Sequence, residues 1–135
     1  MGIAAVLISS ALLSVGCSAS AQASSNVTEV RATVTNFLVA EVTNNGNLAC
    51  SLLIPADRQF FAAFGSSSHT CAAGFVATTS GPQPQVTPKD AEAGGAQAQV
   101  KIQGDSATAK GVAGGKKFTA HLARVHGKWL ISIKL

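Results

Sequence analysis

Apolar residues are spaced in two ways along this chain, at helical steps in its first half and in alternation over residues 96–135. From residue 26, Val27, Val30, Val34, Phe37 or Leu38, and the Glu41-Val42 pair recur three or four positions apart, which marks one face of an α-helix. Asn26 suits the N-cap of that helix, with Glu29 three positions on, and Asn44-Asn45-Gly46 marks its end. A second apolar stretch, Leu48 to Ile54, stops at Pro55, which can itself open a third helix carrying Phe60, Phe61 and Phe64 on one side. Gly65 to Ser68 reads as a loop. Residues 71–79 fit a short helix or a strand, and the Pro-, Gly- and Gln-rich residues 80–95 read as a long connection.

Three short turn signals, Gly104-Asp105, Gly114-Gly115 and His126-Gly127, divide the remainder into strand-like segments at 96–103, 106–113, 116–125 and 128–135. Val100 and Ile102 flank Lys101, and Phe118, Ala120 and Leu122 alternate with Thr119 and His121. Trp129, Ile131, Ile133 and Leu135 alternate with Lys128, Ser132 and Lys134 in the same way. A strand patterned like this has one apolar face. The expected fold is α+β, with N-terminal helices packed on a curved C-terminal antiparallel sheet of about four strands, in a single domain over residues 26–135.

Ahead of this domain, Ile3 to Leu13 forms an apolar run of signal-peptide length, too short to span the ~30 Å core of a bilayer. Leu13-Ser14-Val15-Gly16-Cys17 follows and resembles a bacterial lipobox. That resemblance implies removal of residues 1–16 as a signal peptide and lipid attachment at Cys17. Ser18 to Ser25 lacks apolar periodicity, so residues 17–25 are expected to be a flexible tether. Ala21-Gln22-Ala23 is a competing A-x-A cleavage site that would release a soluble, secreted protein beginning at Ser24. The expected location is the outer face of the cytoplasmic membrane or the cell envelope by the first route, with the membrane as partner through the lipid anchor.

The cysteine count bears on that choice, because three cysteines in an exported chain leave one over after any disulfide. Cys50 and Cys71 are the expected pair in an oxidising compartment, and acylation then gives Cys17 a use. A zinc site from Cys50, Cys71 and His69 lacks the paired C-x2-C spacing and a fourth ligand, so no metal or other cofactor is expected. The formal charge of +4 is concentrated late, with eight Lys/Arg against three Asp/Glu in residues 89–135. Lysines at alternate strand positions read as the solvated side of a sheet, and no nucleic-acid partner is expected. Gly111 to Lys117 is one residue short of a phosphate-binding loop and lacks its Ser or Thr, so it reads as a hairpin turn.

The order of Gly46-Asn47, Ala49-Cys50-x-Leu52-Leu53, Cys71-Ala72, Gly104-Asp105 with Ala107, and Gly127-Lys128-Trp129-x-Ile131 resembles small actinobacterial lipoproteins of the nuclear transport factor 2-like superfamily. The resemblance spans about residues 26–135 and implies a cone-shaped, half-open sheet curled around a pocket. That scaffold serves isomerases, dehydratases and many members with no chemistry, so the fold alone does not name a function. Its isomerase members use a strand carboxylate and a tyrosine. This chain has no Tyr, and its acids after residue 57, Asp90, Glu92 and Asp105, fall in a loop or a turn. No catalytic residue is therefore assigned. The expected function is a non-enzymatic, envelope-anchored domain binding a small apolar ligand or an envelope protein, with His121, Arg124 and Trp129 as pocket candidates. The alternatives are a hydrolase or isomerase relying on His121 and Arg124, and a structural accessory protein whose pocket is already filled by Phe and Leu side chains.

Overall fold

The computed structural model describes residues 18–64, 68–80 and 85–133. Among them, five helices precede one antiparallel sheet: α1 Ser18–Val42, α2 Gly46–Leu52, α3 Pro55–Phe64, α4 Cys71–Thr79 and α5 Pro88–Ala96, then β1 Gln99–Gln103, β2 Ser106–Ala113, β3 Lys116–Val125 and β4 Lys128–Ile131. The strands pair in chain order as a meander that is not closed into a barrel. This is the α+β arrangement expected from the two spacing patterns.

The first helix is longer than its apolar periodicity. Residues 19–25, expected as tether, are helical and exposed on every side. No Gly or Pro interrupts residues 18–45, and Ala19, Ala21, Gln22 and Ala23 are strong helix formers. Asn26 consequently lies inside the helix rather than at its cap, and its Oδ1 accepts a bond from the Arg124 guanidinium at 3.1 Å. Downstream, Val30, Val34, Phe37 and Ala40 form the buried stripe of α1.

That stripe meets the inner face of the sheet, where pairing aligns Ile102 with Ala107, Ala107 with Leu122, and Leu122 with Ile131. On β2 this face is made only of small residues, Ala107, Ala109, Gly111 and Ala113. The space they leave is taken by α5, an element that composition had marked as a connection. Its start is nonetheless explicit, because Thr87 and Asp90 form a reciprocal capping box around Pro88 at the first turn. Gly95 lets α5 press on α1: a Cβ there would clash with Thr35 Oγ1 and come within 2.5 Å of Thr35 Cα.

The ambiguous residues 71–79 are helical, opened by Thr70, whose side chain accepts from the Ala73 N–H. α4 carries Phe75 into an edge-to-face cluster with Phe37 at 5.9 Å and Phe61 at 5.4 Å between ring centroids. The Cys50–Cys71 disulfide joins α2 to the start of α4 across 21 residues. The sheet is held to α2 and α3 by two bonds, from the Ile54 N–H to the Ile131 carbonyl at 2.9 Å and from the Ile133 N–H to Asp57 Oδ2 at 2.7 Å. β1 and β4 are shorter than the expected 96–103 and 128–135. Residues 96–98 finish α5 and its C-terminal turn, and after Ser132, whose N–H still bonds the His121 carbonyl of β3, the Ile133 N–H turns to Asp57 of α3.

Two stability outcomes follow. Reducing the disulfide, or replacing Cys50 and Cys71 by Ala, should lower unfolding free energy by about 3 kcal/mol in urea titrations, the entropy of a loop of this length. Gly95→Ala should cost about 2 kcal/mol through overpacking, whereas Gly104→Ala, with left-handed φ of 59° but open space around it, should cost only about 1 kcal/mol.

Candidate functional site

At the C-terminal end of α1 the elements stop short of complete packing. Leu38, Glu41 and Val42 of α1, Thr79 of α4, Val86 and Ala91 on and before α5, and Ala113, Lys116, Lys117 and Phe118 of the β2–β3 hairpin enclose a cavity of about 180 Å³. The cause is side-chain size, since Ala91 and Ala113 are too small to fill the corner that Phe118 borders. An apolar cavity of about 150 Å³ is enough for a benzene-sized guest, so a single ring or a short alkyl chain fits here.

Glu41 is the acid among the described residues of this corner. Helical spacing puts it directly after buried Ala40 and four residues beyond Phe37, at the margin of the core. It is half-buried and has no hydrogen-bond or ion-pair partner among the described residues. Burial pushes its carboxyl up from 4.5 to about 7, because an apolar wall solvates the neutral acid better than the anion. Leu38, Glu41 and Phe118 also border a more open groove that continues along β3 to Ala120, His121, Ser132 and Ile133. Lys116 and Lys117 stand exposed at the mouth of the first cavity.

The residues expected from sequence to line a pocket are distributed differently. Trp129 is 3% exposed and belongs to the core. Arg124 lies 5.5 Å over the Trp129 ring, a cation–π contact, and is tied to Asn26. Neither lines the cavity or the groove. Arg124 Nε and Trp129 Nε1 are both buried without a hydrogen-bond partner among the described residues. His121 is three residues before Arg124 on one strand, so the two side chains leave on opposite faces. Its cross-strand neighbour on the outer face is Ser132, whose N–H bonds the His121 carbonyl at 2.8 Å. No hydrogen bond joins their side chains. His69 and His126 are exposed, each at a backbone position of positive φ. Cys50 and Cys71 are joined to each other, and Cys17 lies outside the described residues.

Sequence reasoning considered as bases only the acids after residue 57, Asp90, Glu92 and Asp105, and so passed over Glu41 on α1. A signal was present: a carboxylate at 41 sits where the 30, 34, 37 stripe would place an apolar residue. Lys116 and Lys117 were read as exposed hairpin residues. They are exposed, but at the mouth of a cavity. No family model matches the chain, and no curated protein or solved structure is significantly similar to it.

Glu41 gives a pH signature. Below pH 4.5 its carboxyl is neutral in both the folded and the unfolded chain. As pH rises from 4.5 to about 7 the unfolded chain ionises first, so stability declines across that window and levels off above it. The other shifted acid, Asp90, is held below its ordinary 3.8 by its hydrogen bonds from Thr87; its contribution is present above 3.8 and lost only at lower pH. Glu41→Gln should remove the decline and stabilise the protein at pH 8 by roughly 1–3 kcal/mol in urea titration. An unaltered slope between pH 5 and 7 would show that Glu41 is not desolvated.

Proposed function

We propose that this chain is an exported bacterial lipoprotein, tethered through Cys17, whose nuclear transport factor 2-like domain is a non-enzymatic binding module for a small apolar ligand. The observation that carries the binding reading is the cavity of about 180 Å³ beside Glu41, which combines the apolar Leu38, Val42, Val86 and Phe118 with the exposed Lys116 and Lys117. The accessory-protein alternative expects that space to be filled by Phe and Leu side chains, and here Leu38 and Phe118 line it instead. The hydrolase or isomerase alternative needs His121 and Arg124 together, and strand alternation separates them.

Export is supported by the leader and by the Cys50–Cys71 disulfide, a bond that persists in oxidising compartments. Among the described residues no helix is long and apolar enough to cross a membrane, and the lipid at Cys17 supplies the anchor in this reading. The helix α1 connects the two ends of the proposal. At about 1.5 Å per residue, Leu38 stands about 30 Å from Ser18 along α1, so the cavity opens at the end of the domain remote from the lipid.

Intact mass after expression in a lipoprotein-competent bacterium should show acyl groups at Cys17, and Cys17→Ser should move the protein from the membrane fraction to the soluble one. A mature start at Ser24 would refute the anchor. For the binding reading, a panel of small apolar compounds should raise the melting temperature; Val42→Trp, which fills the cavity, should abolish the shift.

A further inference from the structure

We propose that the cavity beside Glu41 takes a small anionic amphiphile, a short-chain carboxylate, with its alkyl end between Leu38, Val42 and Phe118 and its head at Lys116, which pairs with Ala113 on the inner face. The inference deepens the ligand-binding reading and rests on it. Size sets the first limit. A space of about 180 Å³ is little more than a benzene-sized cavity, so a short chain is enough to fill it.

Charge sets the second. Of the elements around the cavity, α4 and α5 contribute Thr79 and Ala91, which carry no charge, and β3 contributes Lys116 and Lys117. Among the described residues Glu41 is the only acid lining it, and His121 is the only other titratable group on the adjoining groove. A guest amine would pass the like charge of Lys116 to reach Glu41, whereas a carboxylate meets opposite charge there. The chain as a whole carries a formal charge of +4, which favours the approach of an anion.

Glu41 adds a condition to this. Its carboxylate would repel a bound anion across an apolar wall, so the complex forms with the Glu41 proton in place. Desolvation already brings that proton to about pH 7 in the free protein. Carboxylate binding is therefore coupled to proton uptake, tight below neutrality and weaker above it.

The test is calorimetric titration of the purified mature protein with hexanoate, hexanol and hexylamine at pH 6 and pH 8. Hexanoate should bind best, and about tenfold more tightly at pH 6 than at pH 8, the change in the protonated fraction of a group titrating near 7. Lys116→Ala, at an exposed position, should weaken hexanoate about tenfold and leave hexanol unchanged, whereas Lys117→Ala on the opposite strand face should change neither. Glu41→Gln should bind hexanoate equally at both pH values. Tighter binding of hexylamine, a reversed pH trend, or equal affinity for hexanoate and hexanol would overturn the head-group assignment while leaving apolar binding intact. Failure of all three compounds would instead remove the ligand-binding reading on which it rests.

Discussion

Ala107, Ala109, Gly111 and Ala113 present almost no side chain on the inner side of β2, and that thin face lets two helices reach the sheet at once. α1 lays Val30, Val34, Phe37 and Ala40 across it, and α5 enters beside α1 on glycines that permit near-backbone contact. Apolar burial is the main force holding such layers together, and here it depends on shape. Larger residues on β2 would lift both helices off the strands. The remaining helices add to this frame through the Phe37–Phe75–Phe61 cluster and through the disulfide between α2 and α4.

The same economy of side chains leaves the corner at the far end of α1 open. Near the β3–β4 turn, Trp129 and Arg124 fill the inner face and α1 is anchored to the strands by Asn26 and by Thr33, whose hydroxyl donates to the Trp129 carbonyl. Toward the β2–β3 turn, Ala91 and Ala113 face Phe118 with room to spare, and a lone carboxyl borders that room. A half-buried acid without a partner reduces stability at neutral pH. Residues that oppose folding in this way concentrate where binding or chemistry occurs; Arg124 Nε and Trp129 Nε1 are buried without partners at the other end, but only the Glu41 corner adjoins the cavity and groove, which makes it the candidate site.

Two backbone bonds decide where the sheet ends. Ile131 accepts from Ile54, and after Ser132 has donated to the His121 carbonyl Ile133 donates to Asp57, so the chain beyond Ser132 is directed at α3 and no longer runs alongside β3. β3 therefore extends past its short partner, and the groove bordered by Glu41, Phe118 and His121 occupies that step. The carboxylate at Asp57 has a second local advantage, since it lies in the first turn of α3, where negative charge is favourable.

The sequence by itself determined the layered α+β fold, because helical and alternating periods are local properties of the chain and each requires an apolar face to be covered. It also determined the three hairpin turns through their glycines, and the Cys50–Cys71 pair through cysteine arithmetic. It misjudged 18–25 and 88–96, where Ser-, Ala- and Gly-rich composition looks like linker although nothing in 18–25 breaks a helix and Thr87-Pro88-x-Asp90 starts one. Only the tertiary structure decided the site. Whether Glu41 is solvated or desolvated, whether His121 and Arg124 share a face with a cavity, and whether Lys116 and Lys117 edge a pocket all depend on which elements meet at one corner. That meeting is set by the sizes of residues far apart in the chain, Ala91, Ala113 and Phe118, and no local pattern records it.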